Sequence, residues 1–161
     1  EPTTGVDPVT RQDFWQLVIK LASSSLSGSS PGSREEEGNL RAVLLTTPYM
    51  DEASRCHPVG FMRGGKIVAE GTPSALRSRL ENRIVEVRGP AMTSLRKTAG
   101  EIDGVEDVRA FGDRLHLRVQ PGQAGSVIAA LAEAFPARAG SRIEARPVPP
   151  SLEDVFTALP S

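Results

Sequence analysis

The chain has 161 residues, enough for one ordinary domain or two small ones. Its 19 Lys and Arg stand against 20 Asp and Glu, so a formal net charge of −1 gives no Coulombic reason to expect nucleic acid or an anionic membrane surface as a partner. The single cysteine, Cys56, excludes an internal disulfide, and with His57 and His116 as the only histidines no set of residues has zinc-ligand spacing, so no metal site is expected. That usage fits a reducing cytoplasm.

No apolar run approaches the ~20 residues of a membrane span, and the opening EPTTGVDPVT has neither the basic nor the apolar region of a signal peptide. Direct membrane insertion is therefore not expected. From Pro8 to Ala22, Phe14, Leu17, Val18 and Leu21 recur at spacings of three and four and predict a helix buried along that stripe. Asp7 followed by Pro8 supplies its N-cap and first turn. The next stretch, SSSLSGSSPGSREEEGN over residues 23–39, is too poor in apolar side chains to offset its ordering entropy and reads as a mobile surface loop, with Glu35, Glu36 and Glu37 as a solvated run.

RAVLLTT is a short apolar run with polar flanks and reads as a buried strand of a largely parallel sheet, followed by a helix from about Tyr49 to Cys56. VGFMR and KIVAEG flank Gly64-Gly65, a hairpin signal because glycine tolerates positive φ. Thr72 caps a helix opened by Pro73 and running to about Leu80. Beyond a boundary placed near Glu81 the order is strand RIVEVR, helix AMTSLRKTAGEI, strand VEDVRAF, the Gly112-Asp113 turn, strand LHLRVQ, helix AGSVIAALAEAF and strand RIEARPV. This βαββαβ order is that of a small α+β ferredoxin-like domain. Alternation in Ile84/Val85/Val87 and Leu115/Leu117/Val119 predicts one sheet face under two helices and the other left for solvent or a partner. SLEDVFTAL closes the chain as a capped helix with Leu152, Val155, Phe156 and Leu159 on one face.

Three segments carry a resemblance to a known family. EPTTGVDP places a carboxylate before a Thr/Gly turn and an Asp-Pro helix start, and it resembles the end of the Walker B strand and the D-loop of ABC ATPases. LLTTPYMDEASRCHPVGFMRGGKIVAEGTPSALRSRL is similar throughout to the family's switch region with its following hairpin and helix. SLEDVFTAL resembles the ending of ATPase subunits of drug- and polysaccharide-type exporters. The resemblance implies an α/β remnant of an ABC ATPase cassette over residues 1–80 and a ferredoxin-like accessory domain over 81–161.

By that resemblance Glu1 matches the glutamate that polarises the attacking water, and Gly5 and Asp7 match the D-loop at the nucleotide and dimer interface. The metal-associated Walker B aspartate would fall just before Glu1. Pro48 stands where the family has its switch histidine and Pro58 where it often has an arginine; proline offers neither a side-chain donor nor an N–H. LSGSS at Leu26–Ser30 lies after the D-loop, whereas the family's LSGGQ signature lies before Walker B, so the match is read as coincidence.

No G-x-x-x-x-G-K-[ST] occurs in these residues, and without the backbone and lysine donors of a P-loop the phosphates have no preorganised cradle. The chain alone is therefore expected to bind no cofactor and to turn over no ATP. A longer parent, by resemblance, would use ATP and Mg²⁺ between two ATPase subunits to drive a membrane permease from the cytoplasmic side. The competing reading is a free-standing interaction module, a homodimer among its forms, without nucleotide chemistry.

Three further features take structural readings. His116 alternates with Leu115 and Leu117 and is expected to face solvent. Cys56 and His57 abut a turn as a structural pair. Asp51 and Glu52, about 100° apart on a helix, supply negative charge to a first turn rather than an acid/base pair.

Overall fold

Helix α1 runs Pro8–Ser23 and begins where its cap was expected: the Asp7 carboxylate accepts from the Val9 and Thr10 backbone N–H groups at 3.0 and 3.1 Å. A computed structural model describes residues 2–23, 42–136 and 143–160 and resolves two compact units, Glu1–Tyr49 and Met50–Ser161. Glu1, most of the expected loop over 23–39, the LSGSS segment and the Glu35–Glu37 run lie outside the described residues.

Two expectations for the first unit are corrected. The residue of α1 that is buried is Trp15, with Arg11, Phe14 and Val18 half-buried beside it, while Leu17 and Leu21 of the expected stripe are 56% and 41% exposed. Positions 11, 14, 15 and 18 share a face at 3.6 residues per turn, and the bulk of the indole, packed edge-on against Phe14, sets which face is covered. RAVLLTT is not a paired strand: residues 42–47 join no ladder and Leu44 is 95% exposed. An apolar run becomes a strand only through a ladder with a neighbouring strand, which its own composition does not supply.

In the second unit, α2 (Met50–Ala53) leads into an antiparallel hairpin of β1 (Val59–Arg63) and β2 (Lys66–Gly71). Gly64 and Gly65 close it at φ +56° and +76°, the left-handed pair that a two-residue turn requires. Thr72 caps α3 (Pro73–Arg77) by accepting from Ala75 N–H at 3.0 Å, and a 3₁₀ turn continues through Leu80.

A four-stranded sheet follows, built from β3 (Ile84–Arg88), β4 (Val105–Phe111), β5 (Arg114–Val119) and β6 (Glu144–Pro147), with α4 (Met92–Gly100) and α5 (Ala124–Ala134) between strands. The strand order is β4-β5-β3-β6 and every neighbouring pair is antiparallel. The fold is thus mixed α/β with two antiparallel sheets. Val85, Val87, Leu115 and Leu117 turn to one face and pack with Leu95 of α4 and Leu131 of α5. Each such fully buried side chain contributes about 1.5–3 kcal/mol relative to exposure.

A second cluster crosses the boundary expected near Glu81. Phe61 of the hairpin, Leu76 and Leu80 pack with Ile84 of β3 and with Leu152 and Val155 of α6 (Leu152–Ala158). Helix α6 is the element that ties the hairpin to the sheet. Ser151 and Asp154 form a complete capping box at its start. At its end the Arg63 guanidinium donates to the carbonyls of Phe156, Leu159 and Pro160 at 3.0, 3.0 and 2.9 Å while lying 4.9 Å from the Phe156 ring centroid.

Candidate functional site

Gly5 lies in a tight turn closed between Thr3 and Val6, and Asp7 follows the turn directly. Val6 N–H donates to the Thr3 carbonyl at 3.2 Å, Thr3 is buried, and Gly5 takes φ +77°, which a side chain would strain. The Asp7 carboxyl is held below its usual range, chiefly by a hydrogen bond from the Thr10 side chain and then by the Thr10 and Val9 backbone N–H groups. Its Oδ1 accepts both backbone bonds that start α1.

Pro48 lies exposed in the same unit, in a turn where Thr47 Oγ1 accepts from Tyr49 N–H at 3.1 Å. The two segments meet through Arg11, one turn into α1, whose guanidinium lies 4.7 Å from the Tyr49 ring centroid. The structure therefore brings the Gly5–Asp7 segment and the Pro48 segment into one unit, while Glu1 lies outside the described residues.

Pro48 has no N–H and no donor side chain, and Asp7 Oδ1 serves the helix cap. Among the described residues no three His, Cys, Asp or Glu stand together as metal ligands, and none of their helices is long and apolar enough to cross a membrane.

In the second unit, Cys56 is unsuited to nucleophilic work: burial, and after it the Glu52 charge, push its thiol up, and Sγ lies 3.7 Å from the Glu52 carbonyl. His57 and Asp51 are exposed and Glu52 is buried, so neither adjacent pair forms a site.

His116 corrects another expectation. It is on the sheet face opposite α4 and α5 but does not face solvent, because α6 covers it. Nδ1 lies 3.0 Å from Asp154 Oδ1, Nε2 lies 3.8 Å from Glu86 Oε2, and the ring sits 4.5 Å from Phe111. The Asp154 carboxyl stays below its usual range: burial raises it, and the bonds from His116 and Ser151 outweigh that rise. Nearby Glu86, almost wholly buried, is held at about 2 by Arg114 and then Arg146. The sequence pattern turns His116 to solvent and singles out neither Glu86 nor Asp154. The available signal was the alternation of charged with apolar residues along β3 and β5, which puts Glu86 and His116 on one face.

No family model matches the chain. Along 99% of its length it is 34% identical to the Nod factor export ATP-binding protein I of Paraburkholderia xenovorans (strain LB400), of which the match covers 45%. It is 33% identical over the same share to the Nod factor export ATP-binding protein I of Cupriavidus pinatubonensis, covering 42% of that protein. Over 82 residues, 51% of the chain, it is 34% identical to 12% of the probable multidrug ABC transporter ATP-binding protein YbhF of Escherichia coli K12. The relatives are ABC-transporter ATP-binding proteins, and end-to-end similarity supports that family for this chain. The chain spans less than half the length of these curated relatives.

Proposed function

We propose that this chain is the C-terminal portion of the ATP-binding subunit of an ABC exporter. The observation that carries the reading is similarity along 99% of the chain, a span that takes in the D-loop-like turn, the switch-like segment, the hairpin and the terminal helix. Residues 1–80 are the end of the cassette and 81–161 the accessory domain, into which α6 is anchored. A sheet ordered β4-β5-β3-β6, antiparallel throughout and backed by two helices on one face, supports the ferredoxin-like assignment.

In the longer protein, Gly5 and Asp7 form the D-loop at the contact between two ATPase subunits, and Glu1 stands at the position of the water-activating glutamate. ATP and Mg²⁺ serve that assembly, which couples to a membrane permease at the cytoplasmic surface. The chain by itself turns over no ATP, because phosphoryl transfer depends on positioned phosphate donors that these residues do not supply. Pro48 supplies no donor at the switch position.

The test is to read the native DNA in frame upstream of the Glu1 codon, express the extended frame beside this chain, and assay phosphate release from Mg-ATP. An upstream P-loop and an apolar strand ending in aspartate, with turnover by the extended protein only, is the expected result. A start codon directly before Glu1, or turnover by this chain alone, overturns the proposal.

A further inference from the structure

Glu86 sits mid-strand in β3 between Val85 and Val87, which point to the helices, so its side chain emerges on the opposite face. There it is only 5% exposed. Three arginines converge on it, one from each of three strands. Arg114 Nη1 of β5 bonds Oε2 at 2.9 Å, Arg146 of β6 bonds Oε1 through Nη2 at 2.9 Å and Nε at 3.2 Å, and Arg88 Nε of β3 stands 3.5 Å from Oε1.

A buried carboxylate needs compensation, but Arg114 and Arg146 already engage both oxygens. Arg88, which lies opposite Glu144 of β6 in the ladder, adds a third positive charge 3.5 Å from the same carboxylate. Each guanidinium has five N–H donors, and Glu86 engages one of Arg114's and two of Arg146's. The remaining donors are on groups that are 40%, 39% and 67% exposed for Arg88, Arg114 and Arg146. Two other carboxylates border them: Asp113, 75% exposed at 3.5 Å from Arg114, and Glu144, opposite Arg88 in the ladder. Both sit at the rim, where water screens them.

We propose that this guanidinium triad, held in place by Glu86, is a docking surface for an acidic segment of a protein partner. Arginine matches carboxylates bidentately, and a fork already oriented by a buried anchor loses little entropy on binding. Three adjacent strands at ~4.8 Å spacing put the groups within about 10 Å, a span that two carboxylates one helical turn apart can bridge. Nucleic acid is the less favoured occupant, because Phe111, the aromatic beside the triad, is stacked on His116 rather than open to a base. The proposal goes beyond the exporter reading and stands or falls separately from it.

The test is fluorescence anisotropy of a labelled hexaglutamate peptide with the whole chain at low salt. Arg88→Gln with Arg146→Gln removes two charges and leaves Arg114 to neutralise Glu86. This double variant is expected to weaken binding by about tenfold or more, whereas Arg96→Gln with Lys97→Gln on α4 removes the same charge and changes it little. No binding by the wild type, an equal loss in the α4 variant, or tighter binding of a single-stranded oligonucleotide with the same dependence overturns the proposal. Should the double variant fail to fold, amide shifts of the wild type on adding peptide decide it: changes at Glu86, Arg114 and Arg146 support the site, and changes confined to α4 refute it.

Discussion

Replacing Arg63 by alanine isolates the bond between the hairpin and the terminal helix. The guanidinium caps three carbonyls at the end of α6, of which those of Phe156 and Leu159 are part-buried and that of Pro160 is exposed to water. Charge-assisted hydrogen bonds contribute about 1.5–3 kcal/mol each when partly sheltered, and water replaces the Pro160 contact almost fully. Taking the lower value for the two sheltered carbonyls and about 0.5–1 kcal/mol for the contact with the Phe156 ring gives about 3.5–4 kcal/mol. For a unit of this size about 1 kcal/mol shifts Tm by roughly 4 °C, so Arg63→Ala is expected to lower the unfolding midpoint by about 15 °C. Far-UV circular dichroism during heating, with urea unfolding as a second measure, reads the change directly. Arg63→Lys keeps the charge but not the fork, and should recover about half. A loss under about 1 kcal/mol for Arg63→Ala would refute the idea that α6 is held at its C-terminal end by this side chain.

Other perturbations test the remaining links. Glu86 is depressed from its ordinary 4.5 to about 2, so its contribution is fully present above 4.5 and is lost as pH falls through 2; Glu86→Gln should flatten the acid limb of a stability-versus-pH curve in that window. An unchanged limb would remove Glu86 from the account. Ser151→Ala deletes half of the capping box and should cost about 1 kcal/mol by urea unfolding, with Ser151→Thr, which keeps the hydroxyl donor to Asp154, largely neutral. Asp7→Ala should speed amide exchange at Val9 and Thr10 without altering exchange in the four-stranded sheet, and Asp7→Asn should restore protection.

What was legible in the sequence was the local chemistry. Thr72, Ser151 and Asp7 act as caps because a short polar side chain before a helix finds unpaired N–H groups within reach of its own neighbours. Gly64-Gly65 closes the hairpin, and the order of strands and helices after Glu81 follows from periods of two and 3.6 that need no knowledge of distant contacts. The face of α1 was not legible, since which of two overlapping stripes is buried depends on where Trp15 finds cover. Nor was the fate of Ala42–Thr47, because an apolar run becomes a strand only through a partner outside itself.

By itself, then, the sequence determined each turn, cap and strand whose cause lies within a few residues, and it carried the family resemblance through the motifs around Asp7, Pro48 and Asp154. Only the tertiary structure decided that Arg63 closes a helix 93 residues away, that Asp154 holds His116 across a separation of 38, and that three arginines from three strands share one buried glutamate. The physical reason is that such side-chain pairs leave no local pattern: long, flexible arginines bond wherever strand order and register carry them, and order and register are set by the burial of the valines and leucines on the opposite face.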